Sequence, residues 1–405
     1  MNPDAIEVCI DWQGHAFPVG TLYAAVASES VVFEYQPEWL SRVGAFAVDP
    51  VALPLAPGRF HAVRLFGAFA DAGPDRWGRM LIERAVRQGM LDRRPYRAVD
   101  FLLAVDDVAR IGAIRFRRAG ERAFLGSGNG VIPPLVRLRE LLAATDAVHD
   151  EKATARDLRF LLGAGSPLGG ARPKCLVTLP DGRLAIAKFP KPDDTRDIAA
   201  GEVLGLAVGR AAGIKTADHQ LARIGGRSVA IITRFDRRQE GRIPFLSAVS
   251  LLGLLADDAG SYTRLADGIR AHGDQVAADL EQLWRRVVYS IMANNYDDHM
   301  RNHGFVMHSA GVWALSPAYD INPTPAIDRA RQPKTPVSDE AHAPADALEA
   351  IEAAVASADR FGLKPEAARR IVAEVRSAVS TWRTIGKRLG IASGTLAAYA
   401  DAFEA

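Results

Sequence analysis

The chain reads as an α+β protein in which strands come early and helices late. Three observations predict that class. Between 175 and 233, short apolar runs alternate with turns bearing Gly and Pro. From about 246 onward, apolar residues recur mostly with helical period. The composition, 48% hydrophobic and 24% charged over 405 residues, is that of a soluble globular chain with room for two or three domains. Strands followed by helices suggest two lobes with a cleft between them, a common place for a ligand. Fifty basic against 48 acidic side chains leave a net charge of +2, which argues against nucleic-acid binding by bulk charge but allows a local basic patch. Cys9 and Cys175 lie far apart and argue against a disulfide framework or a cysteine zinc site. No apolar run approaches the ~18 residues of a membrane span, and Met1-Asn2-Pro3-Asp4 carries no signal-peptide pattern. A soluble, cytoplasmic protein without a membrane partner is expected.

The elements follow in order. Residues 19–23 and 31–35 are predicted strands, and 76–88 a helix with Trp77, Met80, Leu81 and Ala85 on one face. Residues 111–116 are another strand. Gly126-Ser127-Gly128-Asn129-Gly130, followed by Pro133-Pro134, punctuates the chain. The expected domains are therefore 1–125, 130–236 and 237–405. Residues 135–163 are helical in pattern, and 166–174 are too rich in Gly and Pro for regular structure. Strands at 175–179 and 184–189 flank Pro180-Asp181-Gly182-Arg183, a hairpin signal. A helix at 197–212 can be capped by Asp197 and closed by Gly213. Strands at 220–224 and 228–233 turn at Gly225-Gly226. A hairpin at 304–315 interrupts the helical remainder, turning at Ser309-Ala310-Gly311. Residues 322–345, with five prolines, are expected to be a long, partly disordered loop, and 346–405 are helical.

The sharpest motif is Asn294-Asn295-Tyr296-Asp297-Asp298-His299-Met300-Arg301-Asn302. Asp297 and Asn302 have the Asp-x4-Asn spacing of a kinase catalytic loop, where Asp orients the attacking hydroxyl and Asn helps hold Mg²⁺. Asp320, in Ala318-Tyr319-Asp320, lies beyond the predicted hairpin and suits a second Mg²⁺ ligand, since Mg²⁺ prefers oxygen donors. The competing reading is a polar helix end capped by Asn and Asp. A nitrogen-rich metal site at His299 would call on His303 or His308, but the surrounding Asp and Asn favour Mg²⁺ over zinc. Bracing of the loop by His299 through hydrogen bonds is the expectation.

Lys188 stands in Ala185-Ile186-Ala187-Lys188-Phe189, an otherwise apolar strand. A lysine there is costly unless its ammonium meets an anion: ATP phosphates, with Glu202 as carboxylate partner, or solvent at a sheet edge. Only eight of the 50 basic residues are lysines, and Lys174, Lys188 and Lys191 fall close together, by chance or because a compact ammonium is wanted there. The loop Gly169-Gly170-Ala171-Arg172-Pro173-Lys174 is not a Walker A loop, because Ala171 follows the second glycine where Lys is required. Its amides, with Arg172 and Lys174, can cradle phosphates, although a tight turn explains the glycines equally well. Thr233-Arg234-Phe235-Asp236-Arg237 falls where a hinge is expected. It can meet adenine through its backbone or form a salt-bridged linker.

Taken together, these residues resemble the HipA-type serine/threonine protein kinases, toxins of bacterial toxin–antitoxin pairs. The resemblance runs over nearly the whole chain. It rests on residues 111–116, Gly170-Ala171-Arg172-Pro173-Lys174, Lys188-Phe189-Pro190, Arg234-Phe235-Asp236-Arg237, Asp297-x-His299-x-x-Asn302 and Tyr319-Asp320. It implies a bilobal protein-kinase-like fold with a small α/β N-terminal subdomain and a mostly helical C-terminal lobe, using ATP and Mg²⁺. By position, Asp297 is the catalytic aspartate, and Asn302 and Asp320 hold Mg²⁺. Residues 169–174, Lys188, Glu202, Arg234, Phe235 and His299 serve the nucleotide. The resemblance also implies a protein substrate, an aminoacyl-tRNA synthetase among those of the family. It implies a helix-turn-helix antitoxin of the HipB kind, through which the complex meets operator DNA. The family's autophosphorylated serine has no direct counterpart, because Pro167 stands at its position; Ser166 is the substitute candidate. Asp298 stands where Gly is common, a change expected to be tolerated. A kinase of small molecules and an inactive co-repressor scaffold are the alternatives.

Overall fold

Alternation of apolar and polar residues builds the first sheet. In the computed structural model, which describes residues 5–25, 28–126, 132–163, 170–255, 258–326, 333–339 and 347–404, strands β1 (Ala5–Trp12), β2 (His15–Ala24), β3 (Val31–Tyr35), β4 (Arg59–Ala62) and β5 (Ile114–Arg118) pair antiparallel in the order β4-β3-β2-β1-β5. In β3, Val31, Phe33 and Tyr35 are buried while Val32 and Glu34 are not, the period of two that a one-faced strand requires. Gln13 and Gly14 both take positive φ and close a tight β1–β2 turn. Gly20 lies so near β3 that a Cβ there would meet the Phe33 ring at 2.4 Å. The expected strand at 111–116 starts only at Ile114. Gly112 takes φ +71° and donates its N–H to Asp236 Oδ2 at 2.7 Å, leaving the extended path.

The chain divides into two compact units. One holds Met1–Pro192, Thr233–Leu246 and Val306–Gly311, the other Asp193–Ile232, Ser247–Phe305 and Val312–Ala405. In the first, helices Leu138–His149 and Ala155–Gly163 follow the sheet. Then β6 (Lys174–Thr178) and β7 (Leu184–Lys188) form a hairpin in which Lys174 stands opposite Lys188. In the second unit, β8 (His219–Ile224) and β9 (Arg227–Thr233) pair through Gly225-Gly226, both at positive φ. The remaining strands are β10 (Phe245–Ser247), β11 (Gly304–Ser309) and β12 (Val312–Leu315), the last two falling where the 304–315 hairpin was expected.

Two helices organise the second unit. Ile198–Ala211 is buried along most of its length and starts where predicted, with the Asp197 side chain accepting from Ala200 N–H. Its end is closed by Gly213 at φ +80°. Val276–Met292 buries Leu280, Leu283, Trp284, Val287 and Val288. Its Tyr289 hydroxyl donates to Gly205 O at 2.7 Å, joining the two helices. Glycine in the first helix permits close packing: a Cβ at Gly205 would meet Pro323 Cδ at 2.8 Å. Among the described residues no helix is long and apolar enough to cross a membrane.

Candidate active site

The loop carrying Asp297 begins where the helix Val276–Met292 is stopped. Asn294 takes φ +50°, a left-handed conformation that Asn tolerates better than most residues. Its side-chain amide donates to Ala402 O at 3.0 Å, and Asn295 Oδ1 accepts from Asn322 N–H at 3.0 Å. The loop's exit from the helix is thus tied down on both sides.

The next two acidic residues part company. The Asp297 side chain is 57% exposed, whereas that of Asp298 is 8% exposed. Asp298 Oδ2 accepts from the Tyr262 hydroxyl at 2.5 Å, His303 Nε2 at 3.2 Å and Ser290 Oγ at 3.3 Å. Burial alone would raise the Asp298 pKa, but His303 and the Tyr262 hydrogen bond outweigh it, and the net shift is downward. Burial and the Asp298 charge together push the Tyr262 phenol well up. Asp298, expected only to be tolerated, is therefore the loop's buried anchor. His303, weighed only as a metal ligand, is its partner. The hydrogen bonds that brace the loop come from these residues, while His299 Nδ1 is buried without a hydrogen bond.

Asn302 is buried, and its amide donates back to Asp297 O at 3.4 Å. Asp320 takes φ +57°, and strain of this kind gathers at functional sites. Asn322 Nδ2 donates to its carbonyl at 3.1 Å and its Oδ1 at 3.2 Å. Tyr319, one residue before Asp320, donates its hydroxyl at 2.9 Å to the carbonyl of Arg301, one residue before Asn302. The segments bearing the two expected metal ligands are thus bonded together one residue from each. Among the described residues no group of three or more His, Cys, Asp and Glu forms a metal cluster. One carboxylate and one amide oxygen, set on bonded segments, fit a hard cation whose coordination is completed by phosphate oxygens and water.

In the same unit, Glu202 is the sole acidic residue of the helix Ile198–Ala211 and is buried. A buried carboxylate requires a cation or donors around it.

In the other unit, Gly170 takes φ +124°, and a Cβ there would come within 2.9 Å of Lys174 Nζ. Ala171 is exposed and Arg172 half-buried. Lys174 is not presented outward. Its ammonium is buried and lies 2.7 Å from Asp75 Oδ2, while Asp75 Oδ1 caps the helix Arg76–Arg87 through Gly78 N–H at 2.7 Å. Opposite Lys174 across the hairpin stands Lys188, which is half-buried. The Arg234 guanidinium is buried. It binds Asp236 at 2.8 and 2.5 Å and donates to Ala109 O at 2.7 Å and Arg110 O at 2.9 Å. The Phe235 ring packs against Ile111, Phe245 and Val306. The side chains of this motif thus form the salt-bridged linker, and its backbone is engaged as well: Arg234 N–H donates to Leu184 O at 2.9 Å and Asp236 O accepts from Ile243 N–H at 3.0 Å. Gly169 and Ser166 lie outside the described residues.

Residues 12–117 match a family model for the HipA N-terminal domain, and 166–382 match one for the HipA-like C-terminal domain. The second match alone covers more than half of the chain. This chain belongs to the HipA family. A relative from Haemophilus influenzae, named as a kinase by inference, is 24% identical over 156 residues, which is 34% of this chain and 46% of the relative. Another so named, from Sinorhizobium fredii, is 31% identical over 105 residues, 25% of each. The matched stretch thus spans less than half the length of either relative. A solved structure of Shewanella oneidensis HipA, with HipB and operator DNA, superposes with a TM-score of 0.68 at 14% identity, covering 98% of this chain and 95% of that one. The likeness is one of fold, and it bears out the α+β, kinase-like class.

Within this HipA-family chain, sequence reasoning passed over Tyr262, Lys334 and Asp75. Lys334 had a signal, since it is one of only eight lysines in an arginine-rich chain. Its ammonium forms an ion pair with Asp297 Oδ1. Asp75 and Tyr262 carried none, because neither lies near its partner in sequence.

Proposed function

We propose that this HipA-family chain is an ATP-dependent serine/threonine protein kinase of the toxin type. The observation that supports this most is the contrast within one loop: a half-exposed carboxylate, Asp297, on a backbone fixed by buried Asp298 and bonded back by Asn302. Such a group can accept a hydrogen bond from an acceptor hydroxyl without moving. The hydroxyl oxygen attacks the γ-phosphorus, the bond from phosphorus to the β,γ-bridging oxygen breaks, and ADP leaves. The hydroxyl proton passes to Asp297 and then to solvent. Lys188 would hold the phosphates by charge, and Asn302 and Asp320 would hold magnesium. Bound magnesium would neutralise charge on the phosphate oxygens. Positioning and charge thus supply the rate enhancement.

The S. oneidensis relative was solved with HipB and operator DNA, which supports a helix-turn-helix antitoxin as partner here, with DNA reached through it. A protein acceptor, an aminoacyl-tRNA synthetase for one, and a cytoplasmic location are part of the same reading. Phosphoproteomes of cells expressing the wild type or Asp297→Asn test it. Phosphoserine or phosphothreonine sites should appear with the wild type alone. Equal phosphorylation by both proteins would remove Asp297 from the mechanism.

A further inference from the structure

The segment 333–339 follows the Asp320 region and crosses the loop just described. It is held at four points, three through its backbone and one through a side chain. Lys334 N–H donates to Tyr296 O at 3.1 Å, and the buried Thr335 hydroxyl donates to Asp298 O at 2.9 Å. The first N–H groups of the helix Tyr262–His272, which have no partner within the helix, donate onto it: Tyr262 to Pro336 O at 3.1 Å and Thr263 to Val337 O at 3.0 Å. Lys334 is therefore fixed at its backbone, and its ammonium rests on Asp297 Oδ1.

We propose that Lys334 is a second catalytic cation of this site: it rests on Asp297 until an acceptor arrives and binds the transferring phosphoryl oxygens during transfer. The inference rests on the kinase reading above. Three facts carry it.

The pair is exposed on both sides, 54% for Lys334 and 57% for Asp297, so it contributes at most about 1 kcal/mol and exchanges its partner cheaply. The anchored backbone keeps the ammonium within a side-chain swing of the carboxylate that would receive the acceptor hydroxyl. The phosphorus under attack lies one oxygen beyond that hydroxyl's proton, so the cation is close to the equatorial oxygens where charge spreads. A compact ammonium also suits a target that shifts during the reaction, since it carries three rotatable donors and no fixed fork.

The competing role is occlusion, with Lys334 as a plug. An exposed pair of this strength restrains activity by about fivefold at most. A mobile cation supplied to a phosphoryl transition state is worth about 10³–10⁵. The two roles therefore predict opposite signs on removal of the charge. In the proposed step the ammonium keeps its protons. The bond formed is acceptor oxygen to γ-phosphorus, the bond broken is γ-phosphorus to the bridging oxygen, and Asp297 takes the proton.

The test uses the full chain and two readouts. The first is binding of Mg-ADP and of Mg-ADP with aluminium fluoride, a mimic of the transferring phosphoryl group, by calorimetry. The wild type should bind the fluoride complex at least about 100-fold more tightly than ADP. Lys334→Met should lose most of that difference while binding ADP as before, and Lys334→Arg should restore part of it. The second readout is hydrolysis of γ-labelled ATP with water as acceptor. Here Lys334→Met should lower kcat by about 100-fold or more, with KM for ATP changed less than about threefold.

An unchanged fluoride complex in Lys334→Met would overturn the proposal, and a rise in turnover would assign Lys334 to occlusion instead. Asp297→Asn run alongside separates this inference from the reading beneath it. If wild type fails to bind ADP, or Asp297→Asn hydrolyses ATP as wild type does, the kinase reading falls. If Asp297→Asn is inert while Lys334→Met matches wild type, only the role of Lys334 falls.

Discussion

Two lysine–aspartate pairs in this chain differ mainly in burial. Lys174–Asp75 is sealed, each side chain 2% exposed, at 2.7 Å. Lys334–Asp297 stands in solvent. The first cannot break without disturbing two charges held in the interior, so it acts as a fastener between β6 and the helix Arg76–Arg87. The second breaks at little cost. Proximity of opposite charges is common to both; burial decides which pair is fixed and which exchanges its partner.

The largest effect expected is on catalysis at the exposed pair. Asp297→Asn should cut phosphoryl transfer by about 10³ or more while leaving the thermal midpoint in place, since its side chain packs against little. A large loss of stability would erase the contrast. At the buried pair the expectation reverses. Lys174→Met should cost about 3–5 kcal/mol in urea unfolding, because Asp75 is left charged and buried. Adding Asp75→Asn should recover much of that, since Asn keeps the helix cap at Gly78.

Asp298, next to Asp297 yet buried, sharpens the comparison within one loop. Asp298→Asn should cost about 1–3 kcal/mol by weakening the bonds to Tyr262 and His303. Its pKa is lowered in the folded state, so its contribution is present above the unfolded carboxylate value of about 3.9 and is lost as pH falls through the lower folded value. The acid limb of the stability curve should therefore be shallower in Asp298→Asn than in wild type. A parallel limb would mean that other carboxylates govern acid unfolding. The smallest effect is that of Lys334→Met on stability, within about 1 kcal/mol of wild type. A loss as large as that of Lys174→Met would show the exposed pair to be a fastener too.

Much of the fold was legible in the chain. The β6–β7 and β8–β9 hairpins sit where their Gly turns put them, and Asp197 and Gly213 bound their helix as expected. Strand β1 was not read, and β5 began late because Gly112 gives its N–H to Asp236, 124 residues away. At the site, the order and spacing of Asp297, Asn302 and Asp320 were readable because a loop, a pair of strands and a following aspartate are local features. Arg234 and Phe235 fitted either of two readings, since a motif does not say whether its charges meet a ligand or each other.

By itself the amino-acid sequence determined the family and the class of fold, because residue type and spacing are properties of the chain. Tertiary structure alone decided that Asp297 faces solvent while Asp298 is buried, that Lys174 is spent on Asp75, and that Lys334 lies on Asp297. Solvation and charge pairing depend on neighbours brought from far along the chain, Asp75 lying 99 residues from Lys174. Local pattern carries no record of those neighbours.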